Sequence, residues 1–176
     1  MAGYLEARPA ELRFRYGPRG KPSLEAPWSK SAVQFNVSNS EDVAVLAVAL
    51  DRELGVDVEY LREPRDFDSL AAQFFAASEV AQLRSLPHEQ RLEAFFRLWT
   101  RKEAVLKAVG TGLAFPLDKV VVTVGRLEPA RVIAYDDDPV AASQWWLLNL
   151  APVPQYIGAL AALGSPMDVQ CWRAIV

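Results

Sequence analysis

The chain has 176 residues and a formal net charge of −3, and 51% of its residues are hydrophobic. This length suits one medium domain or two small lobes, and the composition is that of a globular protein. The charge argues against general nucleic-acid binding, which needs a strongly basic surface. No stretch reaches the ~18 uninterrupted apolar residues of a membrane span, and the first residues lack a secretory signal pattern. We therefore expect a cytoplasmic protein that binds neither nucleic acid nor membrane.

The first sixty residues predict short strands separated by polar turns. Alternating or β-branched apolar residues predict these strands at 12–16, 34–37, 43–51 and 54–59. The polar residues 38–42 predict a turn after the second strand. The third strand is expected to be buried and to form a hairpin with the fourth.

Beyond residue 66 the pattern changes to a helical period. Asp68 and Ser69 can cap a short helix, and Ser78 begins a second one. The longest helix should extend from about Glu89 to Val109, where glycine follows. Antiparallel strands are then predicted at 120–124, 130–135, 145–150 and 156–163. Helices and antiparallel strands in separate runs indicate an α+β fold.

Two carboxylates stand two positions apart on the fourth predicted strand. Asp57 and Glu59 therefore leave the same face of the sheet, where they repel each other unless a cation or proton lies between them. Carboxylate oxygens without histidine or cysteine nearby suit a hard ion such as Mg²⁺. The alternative is that both side chains lie on a solvated edge strand.

A third carboxylate interrupts the apolar stripe of the long helix. Glu103 occupies a position of that stripe, and its burial is costly unless it meets a cation or a donor. Lys107 lies one turn further on the same side, so an intrahelical ion pair is one explanation. Arg101 and Lys102 fall off the stripe and are expected to be solvated. Together with the strand carboxylates, Glu103 and Lys107 alternatively predict a site for a metal and a diphosphate.

A basic cluster near the N-terminus admits two interpretations. It is either a solvated surface or a local phosphate-binding patch on an otherwise acidic protein. Its members are Arg8, Arg13, Arg15, Arg19 and Lys21.

Four motifs, in this order, resemble the 4′-phosphopantetheinyl transferases. They are GKP at 20–22, NVSNS at 36–40, GVDVE at 55–59 and FRLWTRKEAVLK at 96–107. The chain is similar to the broad-specificity branch that activates peptide and polyketide synthetases of secondary metabolism. The resemblance implies two pseudo-symmetric α+β lobes with the site between them. Residues 1–60 would form a first lobe shortened at its N-terminus, and residues 61–176 a second lobe carrying the catalytic helix.

The resemblance also implies roles for individual residues. Mg²⁺, or Mn²⁺, would be bound by Asp57, Glu59 and Glu103. The catalytic residues would be Asp57, Glu103 and Lys107, with Glu103 helping to deprotonate the attacking serine. Coenzyme A (CoA) would be bound by Lys21, Ser38, Asn39 and Lys107, the last at its diphosphate.

The implied reaction moves the phosphopantetheine arm of CoA to a serine of an acyl or peptidyl carrier protein and releases 3′,5′-ADP. The predicted helix near Phe74 and Phe75 falls where that branch contacts the carrier. Two departures from the family's usual pattern favour an alternative, which is a CoA- and Mg²⁺-binding protein with little turnover. Asn39 stands where the family usually has histidine, and the stretch before the GKP element is short. A shortened lobe would expose apolar surface, from which we expect self-association.

Overall fold

A computed structural model describes residues 1–62 and 66–174 of the chain. In these ranges the helices are α1 (Phe67–Phe74), α2 (Ala77–Ser85), α3 (His88–Val109) and α4 (Pro139–Ser143). The long helix therefore lies where its periodicity predicted it, and Gly110 ends it with a φ of 80°. Helix α1 is capped by Asp66, which accepts a hydrogen bond from the backbone N–H of Ser69, so the predicted cap at Asp68 is wrong. Helix α4 was not predicted.

The strands in the described residues form four small antiparallel sheets. Their bounds are β1 (Phe14–Tyr16), β2 (Pro22–Leu24), β3 (Val33–Ser40), β4 (Val43–Leu50), β5 (Leu54–Tyr60), β6 (Val120–Val122), β7 (Val132–Tyr135), β8 (Trp145–Leu150) and β9 (Tyr156–Leu163). The sheets are β1–β2, β3–β4, β5–β9–β8 and β6–β7. The α+β class predicted from the sequence is confirmed by this mixture of helices and antiparallel strands.

Three predictions for the first sixty residues are wrong. The predicted hairpin between the third and fourth strands does not form, because β4 pairs with β3, and β5 pairs with β9. Strand β4 is not buried, since Leu46 and Leu50 are half exposed or more. The segment expected to begin a turn at Ser38 continues strand β3 as far as Ser40.

Helix α3 lies across β5 and β9 and forms the centre of the larger hydrophobic core. A smaller cluster on the other side of the sheet joins Leu54 and Val56 of β5 to Leu160 and Ala162 of β9. Residues of β4 pack against this second cluster. The sheet β5–β9–β8 is therefore covered on both faces, which fixes the main chain that carries Asp57 and Glu59.

The predicted division into two lobes at about residue 60 stays a prediction. Strand β5 precedes that boundary and β9 follows it, and they pair from Leu54–Ala162 to Tyr60–Tyr156. Within the described residues, no helix is long and apolar enough to cross a membrane.

Candidate active site

The close approach of α3 to β5 depends on Gly55. A Cβ atom at this position would lie 2.1 Å from the carbonyl oxygen of Ala104 and 2.3 Å from the backbone nitrogen of Ala108. These distances are far below van der Waals contact, so only glycine allows the helix to cross the strand here. The crossing places Glu103 and Lys107 beside the carboxylates of β5.

Asp57 is the most enclosed carboxylate of the site, with 3% of its surface exposed. Its Oδ1 accepts hydrogen bonds from Lys107 Nζ at 2.6 Å and from Ser38 Oγ at 2.9 Å. Its Oδ2 is buried and has no partner in the described part of the chain. Burial raises the pKa of Asp57 to about 6, although Lys107 and Ser38 oppose that shift. The alternative of a solvated edge strand is therefore wrong for Asp57.

Glu103 faces the same group of charges from the helix. Its Oε1 is buried, and no hydrogen-bond partner for it is present in the described ranges. Burial raises the pKa of Glu103 to about 7, and the charges of Asp57 and Glu59 add to this shift while Lys107 opposes it. Because the Lys107 ammonium binds Asp57 and Ser38, the intrahelical ion pair is not the arrangement found.

Three polar side chains of β3 bind the edge of β5 that faces away from β9. Asn36 Oδ1 accepts from the backbone N–H of Val56 at 2.9 Å. Ser38 Oγ accepts from Val58 at 3.3 Å, and Ser40 Oγ accepts from Tyr60 at 3.1 Å. We call Asn36, Ser38 and Ser40 the polar ladder. It supplies acceptors that a neighbouring main chain would otherwise provide.

Neither the contact of Ser40 with the site nor the support that Asn36 gives to the main chain of β5 was predicted from the sequence. Ser40 also donates to Glu59 Oε2 at 2.8 Å, so both strand carboxylates are held from β3. The available signal was the spacing of two between the polar residues of β3, which places their side chains on one face of a strand.

A divalent cation fits the chemistry of this donor set. In the described residues, no three His, Cys, Asp or Glu side chains are grouped closely enough to hold a metal ion by themselves. However, Asp57 Oδ2 and Glu103 Oε1 are buried oxygens without partners there, which is costly unless a cation or proton meets them. Mg²⁺ typically takes only a few protein carboxylates and completes its shell with water and substrate phosphates.

Of the residues predicted to bind CoA, Lys107 donates a hydrogen bond to Ser38, whereas Lys21 is bound to other partners. Lys21 Nζ binds Glu53 at 2.6 Å and the carbonyl oxygen of Ala108 at 2.7 Å. A cavity of about 500 Å³ opens beside Lys21. Asn39 is exposed on β3, and the alternation of the strand directs its side chain away from the face of Ser38.

The basic cluster near the N-terminus is mostly exposed, and its members have both local and distant partners. Arg8 pairs with Glu11, and Arg15 donates to Ser23 at 3.0 Å. Arg19 donates to the carbonyl oxygen of Thr111, just after α3. Lys21 reaches α3 itself, since its Nζ donates to the carbonyl oxygen of Ala108.

The predicted solvation of Arg101 and Lys102 is wrong, since both are fully buried. Lys102 Nζ binds Glu79 of α2 at 2.6 Å and donates to the carbonyl oxygens of Leu117 and Val120. Arg101 donates to the carbonyl oxygen of Thr123. These partners come from distant segments, so the helical period of α3 gave no sign of them.

The two phenylalanines at the end of α1 are not freely exposed. Phe75 is buried at 4% exposure, and Phe74 is half-buried against Trp99, with ring centroids 6.0 Å apart. Phe74 therefore remains the accessible one of the pair.

Comparison with known proteins identifies relatives of this chain. A family model described as the 4′-phosphopantetheinyl transferase superfamily matches residues 53–161, which include Asp57, Glu103 and Lys107. The 4′-phosphopantetheinyl transferase HetI of Nostoc sp. is 40% identical over 173 residues, covering 98% of this chain and 70% of the relative. The 4′-phosphopantetheinyl transferase AcpT of Salmonella typhimurium is 39% identical over 95 residues, covering 54% of this chain and 48% of the relative.

A solved structure, the holo-[acyl-carrier-protein] synthase of Thermotoga maritima, aligns with a TM-score of 0.47 and 18% identity. The alignment covers 65% of this chain and 64% of the Thermotoga maritima chain. The family assignment rests on the sequence matches. Since the family model covers more than half of the chain and HetI matches nearly all of it, the chain belongs to the 4′-phosphopantetheinyl transferase superfamily, as its motifs predicted.

Proposed function

We propose that this transferase moves the 4′-phosphopantetheine arm of CoA to a serine of an acyl or peptidyl carrier protein. The oxygen of that serine forms a bond to the phosphorus bearing pantetheine, the bond to the other phosphate breaks, and 3′,5′-ADP leaves. The observation that carries this proposal is a pair of buried oxygens, Asp57 Oδ2 and Glu103 Oε1, that have no hydrogen-bond partner among the described residues and lie near the Lys107 ammonium.

Lys107 binds the diphosphate of CoA in this proposal. An ammonium group has three N–H donors, and Lys107 directs two of them at Asp57 and Ser38. One donor is left for a phosphate oxygen, at a position fixed by the other two. Lys21 is proposed to bind the nucleotide end of CoA from the cavity beside it, and Ser38 and Asn39 to contribute from β3.

Glu103 is proposed to accept the proton of the carrier serine. A pKa raised to about 7 by burial suits a base that must work near neutral pH. Its orphaned Oε1 has an unfilled acceptor site for a serine hydroxyl or a cation.

Mg²⁺, or Mn²⁺ with the same oxygen preference, would be held by Asp57, Glu59 and Glu103. Such an ion would supply charge stabilisation for the phosphate oxygens during transfer. The carboxylates bring the negative charge that such an ion needs. Burial raises the pKa of Asp57 and of Glu103, and repulsion from a neighbouring carboxylate adds to both shifts.

The carrier protein is proposed to approach near Phe74 at the end of α1. Phe74 is the partly accessible member of the aromatic cluster that joins α1 to α3, and large half-exposed rings suit protein contacts. Location in the cytoplasm and self-association through the first lobe stay part of this proposal.

The direct test is to incubate the protein with CoA, Mg²⁺ and purified apo carrier proteins and to measure the carriers by intact mass spectrometry. We expect each carrier to gain the mass of one phosphopantetheine group, and this gain should require the protein, CoA and Mg²⁺. A chelator should abolish the gain, and excess Mg²⁺ should restore it.

The same experiment distinguishes the alternative, a binding protein with little turnover. No mass gain on acyl and peptidyl carriers, combined with CoA binding by calorimetry, would exclude the transferase reaction and support the alternative. The replacement of histidine by Asn39 is the sequence observation that favours it, since a neutral amide brings no charge to a phosphate.

A further inference from the structure

We propose that Ser40 is a positioning residue that orients Glu59 for metal binding. The inference rests on the proposed function, because it takes Glu59 as a metal ligand. Ser40 belongs to the polar ladder, and its hydroxyl bridges two successive residues of β5. It accepts from the backbone N–H of Tyr60 at 3.1 Å and donates to Glu59 Oε2 at 2.8 Å.

A hydroxyl group has a single hydrogen to donate, so these two contacts fix the direction of the Ser40 O–H bond. With the hydrogen on Glu59 and a lone pair on Tyr60, the Ser40 oxygen fixes the carboxylate relative to the main chain beside it. A glutamate otherwise has three rotatable side-chain bonds, and binding a metal would require their ordering. The bridge restricts Glu59 through its Oε2 before any ion arrives.

The residue that supplies the bridge is itself rigidly placed. Ser40 lies at the end of β3, in register with Val43 of β4. The serine side chain has one rotatable heavy-atom bond, so little freedom is left once the strand is paired. Hydrogen bonds from such outer residues are known to tune metal affinity through the ligand that they hold.

Asn36 provides a matched control within the polar ladder. It accepts from the backbone N–H of Val56 at 2.9 Å, as Ser40 does from Tyr60, and its bond to β5 is to the main chain. Losing Asn36 removes an acceptor for β5 without removing a donor from a carboxylate. Ser38 is a poorer comparison, because it also binds Lys107.

The test measures Mn²⁺ binding by electron paramagnetic resonance in the presence of CoA, with thermal stability measured in parallel. We expect Ser40→Ala to weaken Mn²⁺ binding about tenfold and Ser40→Thr, which keeps the hydroxyl, to restore it. Asn36→Ala should lower the melting temperature at least as much as Ser40→Ala, because its buried N–H partner is left unsatisfied. Its Mn²⁺ affinity should stay within about twofold of that of the wild type.

Three results would overturn the inference. Either Ser40→Ala binds Mn²⁺ as the wild type does, or Asn36→Ala weakens binding as much as Ser40→Ala, which would make the effect a general loosening of β5. Absence of Mn²⁺ binding by the wild type would overturn it as well. If the expected Mn²⁺ pattern is found but no carrier is loaded, the transfer reaction fails and the role of Ser40 stands.

Discussion

Helix α3 carries buried charge on two sides, and the two sides differ in how completely their polar atoms are bound. On one side, Lys102 pairs with Glu79 of α2, and both side chains are fully buried. On the other, Glu103 and Lys107 meet Asp57 of β5. The two groups begin at adjacent positions of the same helix, so their difference comes from the segments that pack around them.

The Lys102–Glu79 pair is closed, in the sense that the donors of Lys102 and both oxygens of Glu79 have partners within the protein. Lys102 directs its three donors at Glu79 and at two backbone carbonyls, those of Leu117 and Val120. Glu79 in turn accepts from the backbone N–H groups of Ala76 and Val122. A buried charge with all its partners in place connects segments of the chain and has no site left for a ligand.

The group at β5 is open, in the sense that two of its carboxylate oxygens have no partner in the described residues. Asp57 Oδ2 and Glu103 Oε1 are buried without partners in the described residues, and burial raises the pKa of both carboxyl groups. The comparison teaches that burial of charge alone does not mark a functional site. What distinguishes the group at β5 is a pair of buried carboxylate oxygens that have no partner in the described residues, and a cation or proton that meets them removes the cost of their burial.

Lys102→Met should have the largest effect on stability. The substitution leaves Glu79 buried without its cation, and we expect a loss of about 3–5 kcal/mol in the free energy of unfolding. Urea denaturation measures it. Lys119→Met is the control, because its partner Asp137 is exposed and such solvent-screened surface pairs contribute little to stability. Equal losses in the two variants would contradict the closed role of Lys102.

Gly55→Ala should have the next largest effect and should act on both stability and transfer. The added Cβ meets the backbone of α3 at Ala104 and Ala108, so helix and strand must separate. We expect a loss of about 1–3 kcal/mol and a reduced rate of carrier loading, since Glu103 and Lys107 move away from β5. Gly3→Ala, with open space around its Cβ, is the control. Full activity of Gly55→Ala would contradict the close crossing.

The smallest effect concerns the pH dependence of stability in a metal-free buffer. Because the pKa of Glu103 is raised from 4.5 to about 7 on folding, the folded state holds its proton longer than the unfolded state does. Stability therefore falls as pH rises through that window. Glu103→Gln has no carboxyl proton to lose at this position. The melting temperature of the wild type should therefore fall relative to that of Glu103→Gln as the pH rises from 5 to 8. A constant difference between the two proteins would contradict an open, desolvated Glu103.

The sequence predicted what depends on local periodicity. The apolar stripe of α3 located the helix and identified Glu103 as an anomaly, and the glycine after Val109 located its end. The spacing of Asp57 and Glu59 placed both on one strand face. The motif resemblance then indicated the family.

What the sequence did not predict depends on contacts between distant segments. Strand β5 takes β9 as its partner, about a hundred residues away, and local propensity does not select between partners. The serines at 38 and 40 suggested a turn by composition, but their oxygens bind β5 instead. Burial of Lys102 required Glu79 from another helix, which the period of α3 does not reveal.

The proposed role of Glu103 as the base that accepts the serine proton is tested by the carrier-loading rate of Glu103→Gln at saturating CoA and Mg²⁺. We expect the rate to fall about 100- to 10,000-fold, as for the loss of a general base, while the folded structure is kept. Glu89→Gln, at an exposed glutamate in the first turn of the same helix, should load the carrier at the wild-type rate. If Glu103→Gln loads the carrier as fast as Glu89→Gln does, Glu103 is not the base that accepts the serine proton.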